Sequence, residues 1–210
     1  MCRKQKEKGP GGDAPGPAKL VQLRGELGCT SAEYVTGELW LKASLPGCPA
    51  HPEGGCGFHK HGSYARVEPP GIRIPRFYCP TAHKTFSVLP DFLCAHLSST
   101  MAEVEQVVRH AQVHGVEATA ARMQPQNWPY VGERWVRRRL YAVVACLVTL
   151  QGLYPERLAQ CRPDDVSSYE RVLGTTEVLP ALRGLAEPSV LQKLIKPAGF
   201  RQGKVVHKPP

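Results

Sequence analysis

The chain lacks an apolar run long enough to cross a membrane. The longest one, LYAVVACLVTLQGL, covers the fourteen residues from Leu140 to Leu153, whereas a membrane-spanning helix needs about 20. We therefore predict a buried helix there and no transmembrane segment. The start MCRKQKEKGPGGDAPGPAK also lacks the apolar stretch of a secretory signal peptide. The eight cysteines are accordingly expected in a reducing cytoplasm, either as free thiols or on a metal.

Acidic residues are scarce as well, with 18 Asp and Glu against 27 Lys and Arg, so that the formal net charge is +9. Enzymes that use two metal ions for recombination gather several carboxylates on an α/β core. This chain has few carboxylates and no alternation of strands and helices, so we expect a non-catalytic protein. The positive charge favours polyanions such as nucleic acid as partners.

Composition and periodicity predict an α+β chain made of two small units. Residues 1–19 are basic and poor in apolar side chains, which predicts a disordered tail, and residues 196–210 are predicted to form a basic, frayed tail. Residues 20–45 have a mixed pattern that leaves their structure open. Residues 46–92 are β-prone and interrupted by turns, and residues 99–153 have helical periodicity. Residues 154–195 contain weaker helical segments, which are expected at Glu156–Cys161, Val166–Leu173 and Val178–Leu185.

The β-prone unit contains three candidate strands. SYARVE and IRIPRFY flank the turn PPG at 69–71 and predict a hairpin, and TFSVLP predicts a third short strand. Pro75 cannot donate a backbone hydrogen bond, so we expect it at a sheet edge or at a bulge.

The helical unit begins with MAEVEQVVRHAQVHG, in which apolar residues recur at spacings of three and four. Ser99 or Thr100 with Glu103 forms a candidate capping box, and Gly115 is expected to end the helix. VEATAARM predicts a second helix, and a third is predicted from Glu133 to Gly152. Three helices with a sharp turn at HGVE have the order of a helix-turn-helix.

Cysteine and histidine are concentrated in GCPAHPEGGCGFHKHG and YCPTAHKTF. A structural zinc ion takes four ligands in a tetrahedron, and proteins usually supply them as two pairs held by tight turns. The first pair is Cys48 with Cys56, or alternatively with His51, and the second pair is Cys79 with His83. The preferred set is Cys48, Cys56, Cys79 and His83, which binds one structural Zn2+ per chain and completes a zinc ribbon.

The physical reason for a metal is the small size of this unit, which buries too little apolar surface to fold alone. A closed set of four protein ligands leaves no open position for hydrolysis. Cys79 and His83 could instead act as nucleophile and base, but their close spacing inside a proline-containing turn suits chelation better. A small enzyme dependent on cysteine or zinc is kept as a minor alternative.

The segments CPAHPEGGCGFHKHGSYAR and RIPRFYCPTAHKTFSVLPDFL resemble the zinc-ribbon domain of an uncharacterised bacterial family. That family is related to the N-terminal DNA-recognising parts of insertion-sequence transposases, and the resemblance covers roughly residues 46–140. Its usual knuckle, C-P-x-x-C, is altered here, because Ala82 replaces the second cysteine and His83 follows. The resemblance implies double-stranded DNA as the partner, together with a second copy of the chain or another mobile-element protein.

The third predicted helix starts with ERWVRRRLYAVV and carries the candidate DNA contacts. Its guanidinium groups suit phosphate clamping and bidentate contacts to guanine, and they belong to Arg134, Arg137, Arg138 and Arg139. Further phosphate contacts are expected from the β-prone unit, namely from Lys60, Arg66, Arg73, Arg76 and Lys84. Two alternatives stay open: an ordinary helical bundle with an arginine-rich end, and a protein-interaction adaptor with a structural zinc site.

Overall fold

The computed structural model describes residues 19–95, 97–123 and 132–185. They form an α+β structure, as predicted, with a four-stranded sheet, two short helices between its first two strands and further helices after its last strand. The strands are β1 (Lys19–Gly25), β2 (His59–Ala65), β3 (Arg73–Cys79) and β4 (Lys84–Pro90). The helices are α1 (Ser31–Thr36), α2 (Leu39–Lys42), α3 (Met101–Met123), α4 (Glu133–Leu153), α5 (Pro155–Leu158), α6 (Val166–Leu173) and α7 (Val178–Leu185). Apart from Lys19, both predicted tails lie outside the described residues.

The predicted hairpin and third strand are present as β2, β3 and β4, which pair in an antiparallel manner. β2 starts four residues before the predicted strand SYARVE and ends three residues before its end. Pro75 lies in β3, which is an inner strand because the sheet order is β1-β4-β3-β2. Its partner on β2 is Ser63, directly beside a register shift between Lys60 and Ser63. The missing N–H of Pro75 is therefore accommodated at a bulge and not at an edge.

The segment whose structure the sequence left open adds the fourth strand. β1 runs parallel to β4, with Leu23 opposite Val88. Tyr34 of α1 is almost fully buried, and its hydroxyl donates to the carbonyl of Arg73 at 2.8 Å. Trp40 of α2 lies in the same apolar core. Residues 20–45 therefore share one apolar core with the hairpin, and the domain boundary predicted near residue 46 does not divide this core.

The helical unit has its own core, built mainly from α3, α4, α6 and α7. The capping box uses Thr100: its backbone N–H donates to the Glu103 carboxylate at 2.7 Å, and its hydroxyl accepts from the N–H of Glu103 at 3.1 Å. Gly115 interrupts α3 with a φ of 84°, which confirms the predicted break between two helical segments. In the described ranges, no helix is both long and apolar enough to span a bilayer.

A small separate cluster joins both segments of α3 to the start of α4. Val107 and Ala111 come from the first segment, Ala120 from the second, and Val136 from α4. All four side chains are buried, and Val136 has no exposed surface. This packing fixes the first turns of α4 relative to the break at Gly115.

Candidate metal centre and candidate nucleic-acid surface

The first half of the metal centre is a turn that begins at Cys48. The N–H of His51 donates to the carbonyl of Cys48 at 3.2 Å, and the N–H of Gly54 donates to the carbonyl of His51 at 3.0 Å. Consecutive turns of this kind place the Cys48 sulfur and the His51 ring on the same side of the loop, where Nδ1 of His51 lies 3.7 Å from Sγ of Cys48. Cys56 follows and is also buried.

The second half is the turn that follows β3. Cys79 is the last residue of that strand and is fully buried. The N–H of Ala82 points to its sulfur at 3.4 Å, and the N–H of His83 donates to the carbonyl of Pro80 at 3.3 Å. The Thr81 hydroxyl donates to the carbonyl of Cys56 at 3.3 Å and ties the two halves together.

Four ligand atoms converge where these turns meet. They belong to Cys48, His51, Cys56 and Cys79, and all lie within 4.8 Å of one another. Nδ1 of His51 is 3.3 Å from Sγ of Cys79. Metal distances of about 2.3 Å to sulfur and 2.0–2.1 Å to nitrogen place tetrahedral S and N ligands about 3.6 Å apart. The group therefore has the dimensions needed to hold one metal ion.

His83, the histidine predicted in the preferred set, lies outside this group. Its side chain is exposed, and Nδ1 lies 3.4 Å from the Tyr78 hydroxyl. Neighbouring residues of a strand point to opposite faces, so Tyr78 and the buried Cys79 mark two different sides of the sheet. His83 is on the Tyr78 side. The structure thus brings together both residues that the sequence offered as alternatives, His51 and Cys56, and leaves His83 out.

Burial and hydrogen bonding act differently on two of the thiols. Burial raises the pKa of Cys48 to about 11, despite N–H groups nearby. Burial also tends to raise the pKa of Cys79, but the N–H of Ala82 and the thiols of Cys48 and Cys56 lower it overall. Cys79 therefore ionises more readily than Cys48. A tetrahedral ion held by all four residues would have no open coordination position.

Three of the arginines predicted on α4 are exposed. Arg134, Arg137 and Arg138 lie in its first two turns. Arg137 forms an ion pair with Glu133 one turn earlier. Tyr141, one turn after Arg137 and Arg138, is 66% exposed. The sequence did not identify it as a surface residue, because it lies in the apolar run that predicts a buried helix.

Arg139 is buried, contrary to the prediction of an exposed DNA contact. It keeps only 2% of its surface exposed, and its guanidinium carbon lies 3.4 Å from the centre of the Trp135 ring. One Nη donates to the Ser99 hydroxyl at 2.9 Å, and burial lowers the pKa of Arg139 to about 10. The signal was present in the sequence, because Arg139 lies three residues after Val136 and four before Val143, in the apolar stripe of the helix.

Two cations predicted as phosphate contacts hold the fold instead. The Lys60 ammonium donates to the carbonyls of Trp40, Leu41 and Ala43, at 3.1, 2.6 and 3.3 Å. It therefore caps the end of α2, where cations are favoured. Arg66 donates to the carbonyl of Leu97 at 2.6 Å and connects the sheet unit to the segment before α3.

The remaining three predicted cations differ in exposure. Arg73 is exposed, and its Nε donates to the Ser63 hydroxyl at 3.0 Å. Arg76 is half-buried, with its guanidinium 5.7 Å from the centre of the Tyr64 ring, and Lys84 is half-buried as well. Arg73 is thus the most open of the three.

No model of a known protein family matches the chain, and neither a curated protein nor a solved structure is significantly similar to it. What the chain does has to be inferred from its own residues.

Proposed function

We propose that the chain is a non-catalytic protein that binds double-stranded DNA through α4 and whose sheet unit is stabilised by one structural zinc ion. In this proposal it serves as a DNA-recognition module of the kind that precedes the catalytic part of insertion-sequence transposases. The observation that carries the DNA part is the exposed arginine cluster on the first two turns of α4, a helix whose opposite side is packed into two cores.

Zinc is the metal that best fits the candidate centre. Three thiols and one imidazole are soft to borderline ligands, and their spacing suits a tetrahedron, which together favour zinc over harder cations. Residues 52–55 between the first ligands are exposed and bury no apolar side chain that would order them. The metal would therefore fix this loop against the end of β3, a structural role that needs no open coordination position.

α4 is suited to lie in a major groove. The groove is about 12 Å wide and admits one helix, whose N-terminal residues usually reach the base edges. Arg134, Arg138 and Tyr141 follow one another at spacings of four and three, so they share one face. Val148 extends this face and is 54% exposed. Guanidinium groups at its start can bind guanine or phosphate, and the apolar atoms beyond can contact thymine methyl groups.

The arrangement that holds α4 supports the same proposal. Two short helical segments broken at Gly115 pack against its first turn through Val107, Ala120 and Val136. A three-helix packing of this kind positions the reading helix in helix-turn-helix proteins. Arg73 of β3 is the sheet residue that we retain as an additional phosphate contact.

The proposal is tested by the fluorescence anisotropy of a labelled 20-base-pair duplex titrated with the zinc-loaded full chain at several salt concentrations. Because each phosphate contact releases counterions, log K should fall by about 0.9 per contact for each tenfold rise in salt. A triple variant in which alanine replaces Arg134, Arg137 and Arg138 should bind the duplex more weakly. Its log K should also depend less steeply on the logarithm of the salt concentration.

A control triple variant removes the same charge from exposed arginines elsewhere, namely Arg157, Arg162 and Arg171. It should bind DNA nearly as well as the wild type. A zinc-loaded wild type that binds no duplex even at low salt would refute the proposal and favour the adaptor alternative. Equal losses in both triple variants would refute the assignment of the interface to α4.

A further inference from the structure

Two histidines lie together at the end of the first segment of α3. His110 and His114 are about one helical turn apart, and their ring centres lie 4.4 Å from each other. Residues four apart on a helix share a face, and two histidines at this spacing can bind one metal ion. His114 is exposed and His110 is half-buried, so solvent reaches the pair. Both residues lie outside the metal centre of the sheet unit.

The position of the proton on the His110 ring is set by Thr119. Nδ1 of His110 lies 2.8 Å from the hydroxyl of the fully buried Thr119, and this hydroxyl donates its own hydrogen to the carbonyl of Gly115 at 2.7 Å. A hydroxyl has a single hydrogen, so it can only accept from His110. Nδ1 therefore carries the ring proton, and Nε2 keeps its lone pair. Histidines that bind metals are oriented in the same way, by a hydrogen bond from the second ring nitrogen to a neighbouring oxygen.

The spacing of the two rings indicates the kind of metal. With bonds of about 2.0–2.1 Å to nitrogen, two imidazoles on one ion have ring centres roughly 4.5 Å apart at a right angle and roughly 5.2 Å apart at the tetrahedral angle. The observed 4.4 Å matches the right angle. Right angles between neighbouring ligands occur in the square-planar and tetragonal geometries of Cu2+ and Ni2+, and imidazole is a suitable ligand for both ions.

A nearby positive charge affects the pair as well. Desolvation, together with the charges of His114 and Arg122, lowers the pKa of His110, and the neutral ring is the form that binds a metal. The charge of Arg122 also repels a bound cation. We therefore expect the affinity of the pair for a metal ion to rise when this charge is removed.

We propose that His110 and His114 bind one Cu2+ or Ni2+ ion, with water in the remaining coordination positions. The ion fixes the His110 ring and, through its hydrogen bond, Thr119 on the second segment of α3. Because residues of both segments pack with Val136 of α4, the bound ion stabilises the break at Gly115 and the position of the first turns of α4. This inference does not depend on DNA binding.

The site is tested with Ni2+, which thiols do not reduce, by titrating the zinc-loaded full chain in a calorimeter. The zinc content is measured afterwards, to verify that nickel has not replaced zinc. His114→Ala removes one of the two protein ligands and should weaken nickel binding about 100-fold, whereas Thr119→Val keeps both rings and should weaken it about tenfold. Arg122→Ala should strengthen nickel binding. The matched control His61→Ala removes an exposed imidazole from β2 and should bind nickel like the wild type.

Thermal unfolding gives a second readout, because an ion that binds only the folded chain raises the unfolding temperature. Ni2+ should stabilise the wild type and His61→Ala but not His114→Ala. His114 is exposed, so its truncation leaves the fold intact, as circular dichroism without nickel should verify. A wild type that binds no Ni2+ up to millimolar concentrations would overturn the proposal. Equal losses in His114→Ala and His61→Ala would also overturn it, because scattered imidazoles would then account for the binding. Neither result affects the zinc centre or the DNA-binding proposal.

Discussion

The identity of the fourth metal ligand can be decided by truncating two histidines one at a time. His51→Ala removes the ring nitrogen that lies 3.7 Å from Sγ of Cys48 and 3.3 Å from Sγ of Cys79. His83→Ala removes an exposed ring that contacts the Tyr78 hydroxyl outside the group. The two variants lose the same side chain, so they are matched controls for each other.

The expected difference between them is large. A structural zinc site contributes roughly 10–16 kcal/mol at pH 7, so the loss of one of four equal ligands removes about 3 kcal/mol. Such a loss corresponds to a zinc affinity lowered roughly 100-fold. His83→Ala should keep an affinity close to that of the wild type, because its ring contributes no ligand atom.

The measurement is a competition between the protein and a chromophoric zinc chelator under reducing conditions, together with the zinc content per chain of each purified variant. Thermal unfolding in zinc-containing buffer gives a second readout, since bound metal stabilises only the folded state. Zinc lost from His83→Ala but retained in His51→Ala would refute the geometry of the group.

Four other predictions concern the same fold. Chelation of the metal should disorder the turns around the ligands but leave most of the helical circular dichroism, because α3, α4, α6 and α7 share a separate core; a complete loss of helix would contradict this. Zinc should be released on acidification, because the thiolates must take up protons as the metal leaves, and an affinity that stays constant from pH 8 to pH 5 would be inconsistent with thiolate ligands. The buried carboxylate of Glu105 pairs with Arg109 at 2.7 Å and accepts hydrogen bonds from the first two backbone N–H groups of α7. Glu105→Ala should therefore lower the free energy of unfolding, measured in urea, by about 3–5 kcal/mol. A loss below about 1 kcal/mol would argue against this role of the carboxylate. Gly57→Ala should weaken zinc binding more than Gly54→Ala. Both glycines have a positive φ, but only at Gly57 would an added Cβ lie 3.2 Å from the Pro80 ring. Equal effects would show that the backbone conformation alone, and not the contact with Pro80, determines the loss of affinity.

Local patterns in the sequence predicted most of the sheet and the helices. β3 and β4 were identified to within a residue at each end, and α6 and α7 have the predicted bounds. Their periodicity is contained in a few neighbouring residues, which is what a single sequence can show. β1 was missed because its parallel partner β4 begins 65 residues later at Lys84, and no local signal specifies such a pairing.

The metal ligands were only partly predictable. The three cysteines that converge are those predicted, because cysteines placed in pairs of tight turns are a typical pattern of metal ligands. Spacing alone favoured His83 and offered His51 only as an alternative to Cys56, although both histidines lie within a few residues of a cysteine. The choice depends on the face of β3 to which each turn directs its ring, and only the folded arrangement of Tyr78 and Cys79 settles that.

The basic residues show why charge alone is a weak guide to a side chain's role. Arg139 and Lys60 were predicted to contact DNA because they are charged, yet Arg139 is buried against Trp135. Lys60 is exposed, but its ammonium group donates to the carbonyls at the end of α2. Long basic side chains often extend along apolar surface and place their polar ends on backbone carbonyls. The position of Arg139 in the apolar stripe of α4 was a better indicator than its charge.

X-ray absorption at the zinc edge of the purified full chain tests the central claim most directly, because it reports the number and kind of atoms bound to the metal. Coordination by Cys48, His51, Cys56 and Cys79 predicts three sulfur atoms at about 2.3 Å and one nitrogen at about 2.0–2.1 Å. A protein that contains no zinc, or a zinc ion with fewer than three sulfur ligands or with a bound water, would contradict it.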